Sequence, residues 1–192
     1  KSLVLVSKAI FFAQTVGKPD ILSETPGFSF EVLAALPNVL TESSGIEITE
    51  IGWFWSFNDG GGRPELYAFD RSGNLKSTLK ISNATNVDWE DITQDSLGNL
   101  FIGDFGNNNN GRTDLKIYKI VAPVFGSPSL EQSAEIIQFN FEDQTGFPPP
   151  QIELQFDAEA MFANKSWLYI LTKDRSKPFE SITKLYRINI CL

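Results

Sequence analysis

Short runs of alternating apolar and polar residues, punctuated by turn residues, make up most of this chain, and one arrangement of them occurs three times. The middle copy reads Asp88-Trp89-Glu90-Asp91-Ile92, then Leu100-Phe101-Ile102-Gly103-Asp104, then Ile117-Tyr118-Lys119-Ile120. The last copy reads Asp157-Ala158-Glu159-Ala160-Met161, then the strand from Trp167 to Lys173, then Leu185-Tyr186-Arg187-Ile188. A fainter first copy holds Glu42 to Ile46, Trp53 to Asp59 and Leu66 to Phe69. The interval from the apolar end of the inner run to the polar end of the next strand is 13, 12 and 12 residues (46 to 59, 92 to 104, 161 to 173). One register read through the three copies therefore aligns Asp59, Asp104 and Lys173. Self-similar units of three short strands and a connecting one predict a repeat architecture of propeller-blade type.

Turn chemistry supports strands over helices. Asp70-Arg-Ser-Gly73-Asn74-Leu75 and Asp95-Ser-Leu-Gly98-Asn99-Leu100 share a hairpin pattern in which Gly supplies a positive φ and Asp bonds its own backbone. Ala163 to Ser166 takes that place in the third copy. Outer strands are expected at 28–32, 77–81 and 135–141; only 30–40 hints at a helical period, which Pro37 cuts short. Asn107 to Gly111 and Gly146 to Pro150 are insertions, the first read as a tight polar loop tolerant of left-handed backbone. The expectation is an all-β chain, a β-propeller with four-stranded antiparallel blades, about three of them visible. A blade takes ~40 to 45 residues and closed rings need at least four blades, so residues 21–192 are read as part of a larger propeller.

Composition narrows the chemistry. The 192 residues contain no histidine, which excludes a Ser-His-Asp triad and His-ligated zinc. Cys191 is the only cysteine, so no internal disulfide or thiolate metal site can form. Oxygen ligands remain, and these select hard cations such as Ca²⁺ or Mg²⁺. A formal net charge of −8 with no basic cluster argues against a nucleic-acid partner. Residues 1–20 are set apart: Lys1 to Gln14 has a basic start, an apolar run and a small-residue exit, reading as the remnant of a secretory signal or as an apolar first strand. No stretch has the ~20 apolar residues of a membrane span.

The two-residue period of a strand puts Asp88 and Glu90 on one face and Trp89 and Asp91 on the other, and Asp157 and Glu159 repeat that geometry. Acids recurring at one point of successive blades converge near the axis, where a bound Ca²⁺ would relieve their repulsion. Glu90, Glu159, Asp104, Asp88 and Asp157 are the candidate ligands; the alternative is that they cap turns or bond amides and Arg112. Asp59 is a candidate supporting group. Lys173 is expected to pair with an acid or meet an anionic ligand, and Arg63 and Arg112 to brace loops facing Asp59 or Asp104, phosphate contact being the other option. Asp104-Phe105-Gly106 spells a kinase magnesium motif without its partners, and Gly60-Gly61-Gly62-Arg63 lacks the ending of a P-loop.

The runs Asn86 to Ile92, Ile102 to Asn108 with Arg112 and Tyr118, and Asp157 to Met161 resemble the extracytoplasmic bacterial propellers grouped with SdiA-regulated and phytase-like esterase domains. That resemblance implies an exported propeller, often six-bladed, with relatives that bind calcium; Glu90 and Glu159 match the inner acids and Asp104 the Gly-Asp loop. Ser44 departs from the pattern, standing where the other copies carry Glu. Three functions are open from the sequence: an exported calcium-binding domain that binds a small molecule or cell-surface partner, a calcium-dependent hydrolase of phosphoesters or lactones, and a structural cell-surface module.

Overall fold

The computed structural model describes residues 31–49, 52–121 and 129–190, and their regular structure is strand apart from one 3-10 turn at Gln151–Glu153. No helix among them is long and apolar enough to cross a membrane. Strands β1 (Ser43–Ile48), β2 (Phe54–Asn58), β3 (Glu65–Phe69) and β4 (Leu75–Ile81) form an antiparallel meander. The second meander is β5 (Trp89–Gln94), β6 (Asn99–Asp104) and β7 (Lys116–Val121). The chain then sends β8 (Ser129–Gln132) back to lie parallel to β4 as a fifth strand of the first sheet, and returns to pair β9 (Glu135–Gln138) with β7. The third sheet is β10 (Asp157–Asn164), β11 (Trp167–Lys173) and β12 (Leu185–Asn189).

The all-β expectation and the three repeats hold, with three qualifications. Sheets of five, four and three strands replace uniform four-stranded blades, and they form no closed ring. The expected outer strand at 135–141 forms over Glu135–Gln138, and an unanticipated strand, β8, takes Ser129–Gln132 to the first sheet. Asn83 secures that excursion, its amide donating to the Ala134 carbonyl (2.9 Å) and accepting from the Ala134 amide (2.8 Å). The strand expected at 28–32 lies outside the described residues except for Glu31 and Val32, which belong to no strand, and residues 1–20 lie outside altogether.

The sheets stack in chain order. Trp55, Phe57, Leu66 and Leu79 of the first meet Trp89, Leu100, Ile102 and Tyr118 of the second in one core. Phe101, Phe105 and Ile117 on the opposite face of the second sheet meet Met161, Leu168 and Ile170 of the third. Trp89 is fully buried, its ring edge-on to Phe57 at 5.4 Å between centroids and its indole N–H donating to the Thr85 carbonyl (2.9 Å). A large aromatic wedged between sheets anchors them because its polar atom is also satisfied.

The first strand of each sheet lies beside that of the next, β1 against β5 and β5 against β10. Side chains bond backbone across these joins. Glu47 accepts the Gln94 amide (3.0 Å) and Ser44 donates to the Glu90 carbonyl (3.1 Å) between β1 and β5. Asp91 accepts the Met161 amide (2.6 Å) and Thr93 the Ala163 amide (3.2 Å) between β5 and β10. Strands too far apart to form a ladder are thus still hydrogen-bonded through side chains. Asp91→Ala should leave the Met161 amide unpaired and cost about 1–3 kcal/mol of stability in urea denaturation; a loss below 0.5 kcal/mol would mean that water replaces the carboxylate.

Hairpin length corrects the repeat register. Asp70 and Asp95 accept the amides of Ser72 and Leu97, with Gly73 and Gly98 at φ 76 and 85, as the sequence pattern requires. The third hairpin is shorter, Asn164 pairing Trp167 around Lys165 at φ 55. Ile46, Ile92 and Met161 pair with Ser56, Ile102 and Ile170, so Asp104 is equivalent to Asn58 and Thr172, while Asp59 and Lys173 stand one position further on, level with Phe105. Asp59 and Lys173 therefore share a position that Asp104 does not: the first two hairpins are of equal length, so their counts of 13 and 12 are a true offset, and the shorter third hairpin gives Lys173 the count of Asp104 one position further on.

Candidate metal centre

Each innermost hairpin carries a bulge at the same place, between Ser43 and Ile46, between Trp89 and Asp91, and between Ala158 and Ala160. The unpaired extra residues of the second and third hairpins are Glu90 and Glu159. A bulge bends its strand and re-aims the side chain of the extra residue. Here it turns two glutamates toward the end of the sheets where the loops after β2, β6 and β11 meet.

Glu90, Asp88 and Asp59 come together there, each offering one carboxylate oxygen within 4.8 Å of the others. The β2 end places Asp59, whose carboxylate accepts the Gly60 amide (2.7 Å), and Asn86 holds that end by donating to the carbonyls of Asn58 (2.9 Å) and Asp59 (3.1 Å). Asp88 enters β5 with its amide on the Asp104 carboxylate (3.0 Å). Among the described residues no hydrogen-bond donor meets the carboxylates of Asp88 or Glu90. Burial first, then the charges of Glu159, Asp88, Asp59 and Asp157, pushes the Glu90 carboxyl up to about 9. Asp88 is also raised, by burial and then by Asp59.

Two glycines make the space. A Cβ at Gly106 would stand 2.4 Å from an Asp88 oxygen and 2.5 Å from a Glu90 oxygen, and one at Gly60 would stand 2.6 Å from the other Asp88 oxygen. The two segments set aside in the sequence as misleading motifs supply these glycines. Within Asp104-Phe105-Gly106, Asp104 is bonded, Phe105 fills the space left by the absent side chain of Gly103, and Gly106 lets Asp88 and Glu90 approach.

The remaining candidate acids are held by cations. Asp104 is fully buried and bonds Arg112 (3.0 Å), which also donates to Asp114 (3.0 Å) and the Gly106 carbonyl (2.9 Å). Its second oxygen, Oδ2, is buried without a partner, and burial raises its pKa against the pull of Arg112. Asp157, also fully buried, accepts the Asn107 amide (2.7 Å) and the Arg175 Nε (2.6 Å). Glu159 accepts from Arg175 (3.0 Å) and from Lys173 (3.1 Å). Lys173 thus makes the internal ion pair that was one of its two expected roles, and Arg112 faces Asp104 as expected. Arg63 does not brace Asp59: its side chain is 81% exposed and, among the described residues, its ion pair is with Glu65 at 3.9 Å, the first residue of β3.

Arg175 was not singled out in the sequence. It ties Asp157, Glu159 and Asn108 together, joining the third sheet to the loop after β6. The available signal was positional: like Arg112 it follows the second strand of its repeat, in a copy whose two acids need a counter-charge. That loop after β6 behaves as read, Asn110 adopting φ 52 and bonding the Phe156 amide through its side chain (2.7 Å).

No protein-family model and no curated protein matches this chain.

Proposed function

We propose that this chain is part of an exported β-propeller whose pit at Asp59, Asp88 and Glu90 takes a calcium ion, and that the ion presents an open coordination face to a small-molecule or cell-surface ligand. The observation that carries the reading is the pair of half-buried carboxylates, Asp88 and Glu90, without donors among the described residues and packed against Gly60 and Gly106, where any side chain would displace them. Like charges assembled without a counter-charge are costly unless a cation joins them. The neighbouring cations are engaged elsewhere, Arg112 on Asp104 and Asp114, Arg175 and Lys173 on Asp157 and Glu159. All three ligand groups are carboxylates, which suits Ca²⁺ or Mg²⁺ and not a softer metal. Ca²⁺ takes six to eight oxygens, so three side chains leave positions for water and ligand.

The propeller part of the reading rests on the stacking of three bulged meanders with their first strands side by side, and export on the pattern of residues 1–14. In this arrangement Asp104, Asp157 and Glu159 are the frame and not the ligands, a narrower set than the sequence suggested. The pit accounts for binding and assigns no reaction; a fold analogy does not supply one.

Gly106→Ala tests the site. The atoms nearest the added methyl are the ends of two side chains and the position has no positive φ, so the fold should persist with Asp88 and Glu90 displaced. Isothermal titration should show calcium binding to the native chain, with zinc no tighter, and at least about tenfold weaker calcium binding to Gly106→Ala, on the order of 1.4 kcal/mol. Equal calcium affinity in the two proteins would remove the pit as the site.

A further inference from the structure

We propose that Asn86 is the positioning residue of the pit, its side-chain amide holding Asp59 of the first sheet against Asp88 and Glu90 of the second. The proposal rests on the calcium reading of that pit and adds the residue through which its affinity is set.

The pit is assembled from two sheets, so the spacing of its acids is a tertiary quantity that neither sheet sets alone. β2 ends at Asn58, one residue before Asp59, and the Asp59 amide is held within the first sheet by the Glu42 carbonyl (2.9 Å). Asp59 is exposed, and its carboxylate accepts the amide of its own neighbour, Gly60. Among the described residues, every hydrogen bond from residues 58–61 toward the second sheet ends on Asn86, which leads into β5. Its Nδ2 donates to the carbonyls of Asn58 (2.9 Å) and Asp59 (3.1 Å), and its own carbonyl accepts the Gly61 amide (3.2 Å). Its Oδ1 accepts the amide of Trp89 (3.1 Å), whose ring is fully buried in the core between the two sheets. Asn86 is therefore fixed at one end to the core and at the other to the backbone that carries Asp59. With Asn86 only 8% exposed, removal of its amide leaves two carbonyls short of a donor.

The join between the second and third sheets solves the same problem differently. Asp157 is the counterpart of Asp88, since each directly precedes the partner of an equivalent β6 or β11 residue, and Asn107 stands as far beyond Asp104 as Gly61 does beyond Asn58. The Asn107 amide donates to the Asp157 carboxylate (2.7 Å), whereas the Gly61 amide goes to the Asn86 carbonyl and the Asp88 carboxylate meets no donor among the described residues. In the place of Asn86 the third copy has Gln155, whose amide donates to Glu180 (3.3 Å) and not to the loop after β6. One join ties the neighbouring loop with its aspartate. The other ties it with Asn86 and keeps its aspartate open, which is what a cation site at Asp88 requires.

Isothermal titration of calcium into the 192-residue chain and its variants tests the assignment, with thermal melts to show that each variant is folded. Asn86→Ser keeps an acceptor beside the Trp89 amide but cannot reach both carbonyls, and should bind calcium about tenfold more weakly. Asn86→Asp keeps the shape and the acceptor and loses only the donors. Its added charge alone would tighten calcium binding, so a weaker affinity isolates the positioning role, and this variant decides the matter if Asn86→Ser does not fold. Asn86→Ser combined with Asp59→Asn should bind no more weakly than Asp59→Asn by itself, because Asn86 acts through Asp59. Calcium binding by the native chain that is unchanged in Asn86→Ser, equal or tighter in Asn86→Asp, or weakened additively in the double variant would overturn the role of Asn86 and leave the calcium site standing. A native chain that binds no calcium would overturn both.

Discussion

Glu90→Gln should make the calcium-free protein more stable at pH 8 while abolishing its response to calcium. A carboxyl held up to about 9 in the fold against 4.5 unfolded is protonated in the native state and ionised in the unfolded state across that interval. The unfolded state then binds fewer protons, so stability falls as pH rises from about 4.5 to about 9, by up to about 1.4 kcal/mol per unit. Glutamine removes that slope, which sums to at most about 5 kcal/mol by pH 8, and should gain about 2 kcal/mol there once solvent screening of a half-buried group is allowed for. Asp91, pushed up to about 7 by burial, contributes a second fall below pH 7 that the variant keeps. Calcium should oppose the trend in the native chain, contributing about 2.7 kcal/mol at a hundredfold excess over its dissociation constant. Thermal melts at pH 5, 7 and 9, with chelator and with calcium, check both halves. A native chain whose melting temperature ignores calcium, together with a destabilised Glu90→Gln, would make Glu90 a structural acid and end the metal reading.

Arg175→Ala should be the most damaging single change at the site. It strips the fully buried Asp157 of its only cationic partner among the described residues, releases Asn108 and leaves Glu159 to Lys173 alone. Removing one member of a fully buried pair costs about 3–5 kcal/mol; with Arg175 partly exposed and the Asn107 amide still on Asp157, a loss of about 2–3 kcal/mol is expected. Asp157→Asn combined with Arg175→Ala should cost less than the sum of the separate changes by about 1 kcal/mol or more, as expected for groups in one network. Chemical denaturation of the four proteins gives the coupling directly. Additive losses would mean that the Asn107 amide alone satisfies Asp157. Calcium affinity should survive in the double variant if it folds, since neither residue is in the pit.

How much could be read in advance differs between the fold and the site. The strands, the Asp-x-x-Gly hairpins and the threefold recurrence follow from local patterns with periods of two residues and from turn residues with fixed backbone demands, so alternation and punctuation along the chain revealed them. The recurrence of acids before each second strand was legible for the same reason. The alignment of Lys173 with Asp104 failed because counting residues cannot distinguish a three-residue hairpin loop from a two-residue one, and that of Asp59 because the counts of 13 and 12 mark a true offset between copies with equal hairpins. The departure of β8 to the first sheet was equally hidden, being fixed by Asn83 and Ala134, 51 positions apart.

The sequence by itself determined an all-β repeat, a chemistry restricted to oxygen ligands by the absence of histidine and of a cysteine pair, and the acids among which a cation site must be sought. Only the tertiary structure decided which of those acids are available. Asp104, Asp157 and Glu159 are matched by Arg112, Arg175 and Lys173, while Asp88 and the bulged Glu90, packed against Gly60 and Gly106, are joined by Asp59 from another sheet. A carboxylate's role depends on which charge stands within a few ångströms of it and on how much water is excluded, and both are set by the packing of separate sheets.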